Sequence, residues 1–112
     1  MRAFVTGGTG FVGSRLVGRL VGRGDEVVAL VRSRGRAELA AAEPVEGDLS
    51  DRARLALGMA GCDAAFHLAA DYRVGIPKSD RAEMYQSNVT GTENVLDAAV
   101  EAGAARIVYV ST

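Results

Sequence analysis

The chain has 112 residues, of which 48% are hydrophobic and 24% are charged, and its formal net charge is −1 at pH 7. These values suit one globular domain and exclude a disordered chain or a fibrous repeat. The interspersed charges offer no basic surface for nucleic acid, and no apolar run is long enough to span a membrane. The single cysteine, Cys62, cannot form an internal disulfide, so we expect a reducing, cytoplasmic setting.

Short apolar segments alternate with longer amphipathic ones along the whole chain. In chain order, the pattern predicts strands over 3–5, 26–31, 44–46, 64–68 and 106–110, and helices over 11–23, 35–42, 51–60 and 82–102. The strands are continuously apolar, which is typical of a parallel sheet that is covered on both faces. Strict alternation of strand and helix predicts right-handed βαβ crossovers.

These elements predict an α/β, Rossmann-type, doubly wound parallel sheet of about five strands in the order 3-2-1-4-5. A ligand crevice then lies between the first and fourth strands, where the order reverses. Because the sequence stops directly after the fifth strand, we expect residues 1–112 to be the nucleotide-binding portion of a fold whose C-terminal catalytic and substrate-binding part is absent. The fifth strand would leave an apolar edge that favours self-association or a homo-oligomer.

Residues 6–13, Thr-Gly-Gly-Thr-Gly-Phe-Val-Gly, join the first predicted strand to the first predicted helix. Gly7 permits the tight turn, Gly10 lets backbone amides approach a phosphate, and Gly13 lets the helix pack closely on the sheet. Together with the positive end of the helix dipole, this pattern predicts a site for the pyrophosphate of a dinucleotide. A turn that serves only chain reversal is the alternative.

The residues after the second strand bear on the choice of cofactor. NAD sites usually carry an acidic residue there, about 20 positions after the glycine turn, but this chain has Val31 and Arg32. A guanidinium can pair with a 2′-phosphate, so NADP is favoured over NAD. The alternative is a solvated arginine. The missing carboxylate also disfavours a methyltransferase that uses S-adenosylmethionine.

Two further stretches follow predicted strands. Asp48 could face the adenine amino group with Leu49 against the ring, or it could cap the helix that begins near residue 51. After the fourth strand, residues 68–70 carry small side chains that let the backbone lie close to a cofactor. His67, the sole histidine, ends an apolar strand, which favours a packed, hydrogen-bonded core residue.

In this order, the motifs resemble the extended short-chain dehydrogenase/reductases, the NAD(P)-dependent epimerase/dehydratase group. The resemblance spans the chain and rests on residues 5–13, 47–49, 67–70, 88–92 and 108–112. Within the group, Arg32 and residues 70–73 are most similar to the dihydroflavonol-reductase-like branch and its hopanoid-associated sugar-epimerase relatives.

The resemblance implies roles for individual residues. Asn88 would tie the long helix to the cofactor-side loops, or else be satisfied locally, and Thr112 falls on the catalytic Ser/Thr position. With the residues argued above, the predicted cofactor-binding set is Gly7, Gly10, Phe11, Val12, Gly13, Arg32, Asp48, Leu49, Leu68, Ala69, Ala70 and Asn88. The family's Tyr-x-x-x-Lys pair is absent, since none of the three tyrosines has a lysine four positions later.

We therefore expect an NADP-binding portion of an oxidoreductase, epimerase or dehydratase that acts by hydride transfer on a sugar nucleotide or a small carbonyl compound. Without the acid/base pair, this chain alone would bind cofactor without turnover. A non-catalytic NADP-binding or redox-sensing module is the alternative. No metal site is expected.

Overall fold

The computed structural model describes residues 1–32, 41–70 and 74–110. Its sheet has five parallel strands in the order 3-2-1-4-5, which confirms the predicted topology. The strands are β1 (Arg2–Thr6), β2 (Glu26–Val31), β3 (Glu43–Glu46), β4 (Ala64–His67) and β5 (Arg106–Tyr109). The last two strands end one residue earlier than predicted.

The described helices are α1 (Phe11–Gly22), α2 (Arg52–Met59), α3 (Arg81–Tyr85) and α4 (Gly91–Ala102). A 3₁₀ turn (Lys78–Asp80) precedes α3, and five residues of π-helix (Gln86–Thr90), here called the π segment, join α3 to α4. The single helix predicted over 82–102 is thus interrupted. Of the helix predicted over 35–42, most lies outside the described residues, but Ala41 has φ +59° in a turn, so the helix does not extend to Ala42.

Two apolar clusters cover the two faces of the sheet. Helices α2 and α4 bury one face, with a core that includes Phe4, Val28, Leu55, Met59 and Val95. Helix α1 buries the other face, and there Ala3, Val5, Val17, Leu20 and Val27 form the core. Alternate residues of β1 and β2 point to opposite faces, so both sides of these central strands must be apolar.

The two ends of the sheet differ in polarity. At its amino-terminal end, the charged groups pair with one another: Arg2 contacts Glu26 at 2.8 Å and Glu43 at 3.0 Å, and the terminal amine contacts Asp25 at 2.9 Å. At the carboxyl-terminal end lie the glycine turn and the described residues that directly follow β2, β3 and β4. No helix in the described ranges is long and apolar enough to cross a membrane.

Candidate functional site

The glycine turn after β1 packs directly on the backbone that follows β4. Gly7 has φ +72°, a conformation that L residues with side chains rarely adopt. A Cβ on Gly7 would lie 2.7 Å from the amide nitrogen of Ala69 and 2.8 Å from the carbonyl carbon of Leu68. The structure therefore brings Gly7 against Leu68 and Ala69, which follow it by 61 and 62 positions in the sequence, at the predicted crevice between β1 and β4.

The same turn receives the start of α1. A Cβ on Gly13 would come within 1.9 Å of the Gly7 carbonyl oxygen, so the helix can enter at this angle only with glycine there. Gly10 is the N-cap, and its amide donates to the Gly7 carbonyl at 3.1 Å. Within the described residues no side chain caps α1, and its first turn has no acidic residue. The first-turn amides and the positive helix end are therefore available to an anion.

Phe11 and Val12, at the start of α1, are apolar and exposed, with accessible fractions of 74% and 57%. The Arg15 guanidinium lies 4.1 Å from the centre of the Phe11 ring, in cation–π contact. An exposed apolar pair beside helix amides and a cation suits a ligand that carries both rings and phosphates.

The tips of β2 and β3 bring Arg32 and Asp48 together. Arg32 is exposed and directly follows the buried Val31. Asp48 accepts hydrogen bonds from the Ser50 hydroxyl and from the Ser50 amide, the latter at 2.7 Å. These two bonds, and then the nearby positive charge of Arg32, lower the pKa of Asp48. Asp48 therefore keeps its negative charge at the adenosine end of the predicted site.

Asp48 does not cap α2, so that alternative is wrong. The helix begins at Arg52, and its N-cap is Asp51, whose side chain accepts from the Arg54 amide at 3.1 Å. Asp48 instead closes the turn before the cap, where its own carbonyl accepts from the Asp51 amide at 3.2 Å. The contact with adenine stays a prediction.

Leu49 lies in the loop after β3 and packs against the start of α4. Gly91 leaves room for it, since a Cβ there would lie 2.9 Å from the Leu49 Cβ. The Asn94 side-chain amide donates to the Leu49 carbonyl at 2.9 Å. Asn94 was not predicted; its only signal in the sequence is its place three residues after Gly91, on the same face of the helix.

His67 is a fully buried core residue, as predicted, and it links three elements. Its Nδ1 lies 2.6 Å from the Thr6 hydroxyl on β1, and its Nε2 lies 2.9 Å from the Thr92 hydroxyl on α4. The Thr6 oxygen also accepts from the amides of Leu68 and Ala69, each at 3.2 Å. The His67 ring stacks on Tyr109 with centroids 5.6 Å apart.

The hydrogen-bond network assigns the tautomer of His67. The Thr92 hydroxyl donates to the Asn88 carbonyl at 2.7 Å, so it accepts from Nε2–H. The Thr6 oxygen already accepts two amides, so its proton points to Nδ1. A second ring proton would leave a buried donor with no acceptor, and burial lowers the pKa of His67 to about 4.

The remaining predicted residues have mixed outcomes. Asn88 lies in the half-buried π segment rather than at the start of a regular helix, and its proposed link to the loops stays a prediction. Ala70 is exposed beside the turn. The predicted catalytic residue, Thr112, lies outside the described residues. Among the described residues, no three His, Cys, Asp or Glu side chains could hold a metal ion.

Comparison with known proteins gives a consistent result. A family model described as the NAD dependent epimerase/dehydratase family matches residues 3–112. The chain is 47% identical, over all of its length, to 34% of a 4-hydroxy-2-methyl-3-oxo-4-farnesyl-3,4-dihydroquinoline-1-oxide ketoreductase of Stigmatella aurantiaca. It is also 46% identical, over 97% of its length, to 32% of a putative dihydroflavonol 4-reductase of Synechocystis. The chain thus spans about a third of the length of the curated relatives it matches.

Two solved structures share the fold over the entire chain. One is a short-chain dehydrogenase/reductase superfamily protein from Agrobacterium tumefaciens with bound NAD, with TM-score 0.86, 34% identity and 33% of that chain covered. The other is a UDP-glucose-4-epimerase from Stenotrophomonas maltophila with bound NAD and formylated UDP-arabinopyranose, with TM-score 0.87, 31% identity and 37% of that chain covered.

Proposed function

Because the chain belongs to the NAD-dependent epimerase/dehydratase family, as its motifs indicated, we propose that it is the dinucleotide-binding portion of an oxidoreductase or epimerase. The observation that carries the proposal is the fit between the glycine turn and the backbone after β4. Gly7 and Gly13 leave no space for a Cβ, and α1 begins at this turn with no side-chain cap in the described residues. Such a cradle fits a pyrophosphate.

Each part of the cradle would hold a different part of the dinucleotide. The Gly10 amide is bonded to the Gly7 carbonyl, so the amides of Phe11 and Val12 would bind the pyrophosphate, with the backbone of Gly7 and Gly10 close to it. Asp48 and Leu49 would contact adenine, and the backbone of residues 68–70 would lie against the ribose and phosphates. The bound nicotinamide would supply the hydride acceptor or donor, while this chain positions it and excludes water.

Arg32 would bind the 2′-phosphate of NADP. Its side chain is exposed at the tip of β2, and the tip carries no carboxylate that would hold the 2′-hydroxyl of NAD. The nearby Asp48 charge acts against this preference, because it attracts the same guanidinium. NAD is the alternative cofactor, and it is the one named for the two solved structures.

A small ketone or other carbonyl compound is the substrate class that the comparisons favour. The chain is 47% identical to a ketoreductase and 31% identical to a UDP-glucose-4-epimerase, for which a sugar nucleotide is the ligand named. Thr112 would contribute a hydroxyl to the carbonyl oxygen. No tyrosine of this chain is followed by a lysine at the fourth position, so we expect cofactor binding without turnover.

Calorimetric titration with NADPH and NADH, each against wild type and Arg32→Ala, tests both the site and its preference. We expect NADPH to bind about tenfold tighter than NADH, as one charge-assisted contact would provide, and Arg32→Ala to remove the difference. Arg19→Ala, an exposed arginine farther along α1, is the matched control and should change neither affinity. Equal affinities in wild type would leave NAD as the cofactor, and no binding of either by folded chain would refute the site.

A further inference from the structure

The hydrogen bonds of His67 reach both sides of the candidate dinucleotide site, although the ring itself is fully buried and can touch no ligand. His67 is the sole histidine and, with Thr6, one of two buried polar side chains in the described core, and both of its ring nitrogens are hydrogen-bonded to threonine hydroxyls. The proposed function assigns it no role.

On one side, His67 acts through Thr6. Nδ1 accepts a hydrogen bond from the Thr6 hydroxyl and so fixes the direction of its O–H. Both lone pairs of the Thr6 oxygen are then left for the amides of Leu68 and Ala69. This is the backbone on which Gly7 packs, with an ideal Cβ only 2.7 Å from the Ala69 nitrogen. A rotation of the Thr6 hydroxyl would weaken its bond to the Ala69 amide, while the Leu68 amide would keep its second acceptor, the Thr6 carbonyl at 3.3 Å.

On the other side, His67 acts through Thr92. Nε2–H donates to the Thr92 hydroxyl, which in turn donates to the carbonyl of Asn88. Asn88 lies in the π segment, a wider turn that is less regular than α-helix and often marks a functional site. The hydroxyl therefore connects the end of β4 to the one irregular stretch between α3 and α4.

We propose that His67 is a positioning residue of the candidate site: through Thr6 it holds the Leu68–Ala69 backbone against Gly7, and through Thr92 it holds the π segment that carries Asn88. The role of His67 toward a cofactor rests on the proposed function, because the two stretches that it holds are predicted to bind the cofactor. The hydrogen bonds themselves do not depend on that function, so the two ideas can fail separately.

Thr92→Val is the informative variant, because it keeps the shape of the side chain and removes the hydroxyl. We expect amide hydrogen exchange at Leu68, Ala69 and Thr92 to accelerate about tenfold, the effect of one lost buried hydrogen bond, and dinucleotide affinity to fall about five- to tenfold. Thr92→Ser should restore both. Val100→Thr is the control, because it makes the reverse exchange at an exposed position farther along α4.

Nitrogen NMR of the His67 ring in the wild-type chain tests the proposal without any substitution, so the result does not depend on whether a variant folds. The single histidine should show the Nε2–H tautomer; an Nδ1–H tautomer would overturn the proposal. So would unchanged exchange at Leu68 and Ala69 in folded Thr92→Val, or an equal change in Val100→Thr. If wild type binds neither NADH nor NADPH, the proposed function fails, and the exchange comparison still decides whether His67 positions the loop.

Discussion

The carbonyl oxygen of Gly7 occupies the position that any side chain at residue 13 would need. A Cβ built on Gly13 comes within 1.9 Å of that oxygen and 2.7 Å of its carbon. Neither atom belongs to a flexible side chain, so relief requires movement of the turn or of α1. The first turn of the helix and the glycine turn are therefore one rigid unit, and its amides are oriented before any ligand arrives.

Gly13→Ala should lower the free energy of unfolding by about 3 kcal/mol, the upper end of the usual cost of overpacking, because backbone must shift. Dinucleotide affinity should fall with it. Gly18→Ala is the control on the same helix: nothing lies within 4 Å of its ideal Cβ, and alanine should raise stability by about 0.5–1 kcal/mol. Urea unfolding of both variants measures this difference. Equal effects of the two substitutions would show that α1 does not pack on the turn as described.

Gly7→Ala tests the close approach to the loop after β4 separately from backbone strain. Gly7 and Gly24 both have positive φ, +72° and +88°, but only Gly7 faces backbone within 3 Å. Alanine at Gly24 should cost about 1–2 kcal/mol, the penalty of left-handed backbone alone. Gly7→Ala should cost at least about 1 kcal/mol more, since overpacking adds to strain. Denaturant unfolding again compares the pair, and a smaller cost at Gly7 would contradict the packing.

How far the sequence predicts this site depends on how local each signal is. The glycine turn and the strand order follow from chain neighbours, because each βαβ unit has one favoured hand. The bonds from His67 to Thr6 and Thr92 connect residues 61 and 25 positions apart, and no local pattern indicates them. The π segment keeps helical periodicity, so it was predicted as ordinary helix. The sequence defines the start of α2 only to within a few residues, so it cannot tell whether Asp48 or Asp51 is the cap.

Asp51 and Asp48 should differ in their contributions to stability. Asp51 caps α2 through its bond to the Arg54 amide, so Asp51→Ala should cost about 1 kcal/mol. Asp48→Ala removes bonds to the exposed Ser50 and a surface charge contact with Arg32, so we expect a smaller loss, about 0.5 kcal/mol. If Asp48 contacts adenine, its alanine variant should instead weaken dinucleotide binding, and Asp51→Ala should not. Unfolding and calorimetry on the same two proteins separate these effects, and the reverse ranking in stability would restore Asp48 as the cap.

His67 should make the folded state sensitive to acid at an unusually high pH. Its pKa is about 4 in the folded chain and about 6.5 when unfolded, so between these values the unfolded state binds more protons. The free energy of unfolding should therefore be level above about pH 7 and fall by about 3 kcal/mol as the pH drops to 4. His67→Gln lacks this term and serves as the control, measured by urea unfolding across the range. Equal pH slopes in the two proteins would mean that the ring is not held neutral.

The exposed edge of the sheet at β5 should drive self-association of this chain. All four residues of β5 are exposed, and within the described residues the strand pairs with β4 alone. Such an apolar edge presents unpaired backbone groups to a second copy. Val108→Lys places a charge there and should reduce association measured by sedimentation, whereas Leu57→Lys, at an even more exposed apolar position on α2, should not. If Val108→Lys associates as strongly as wild type, the contact between copies does not lie at β5.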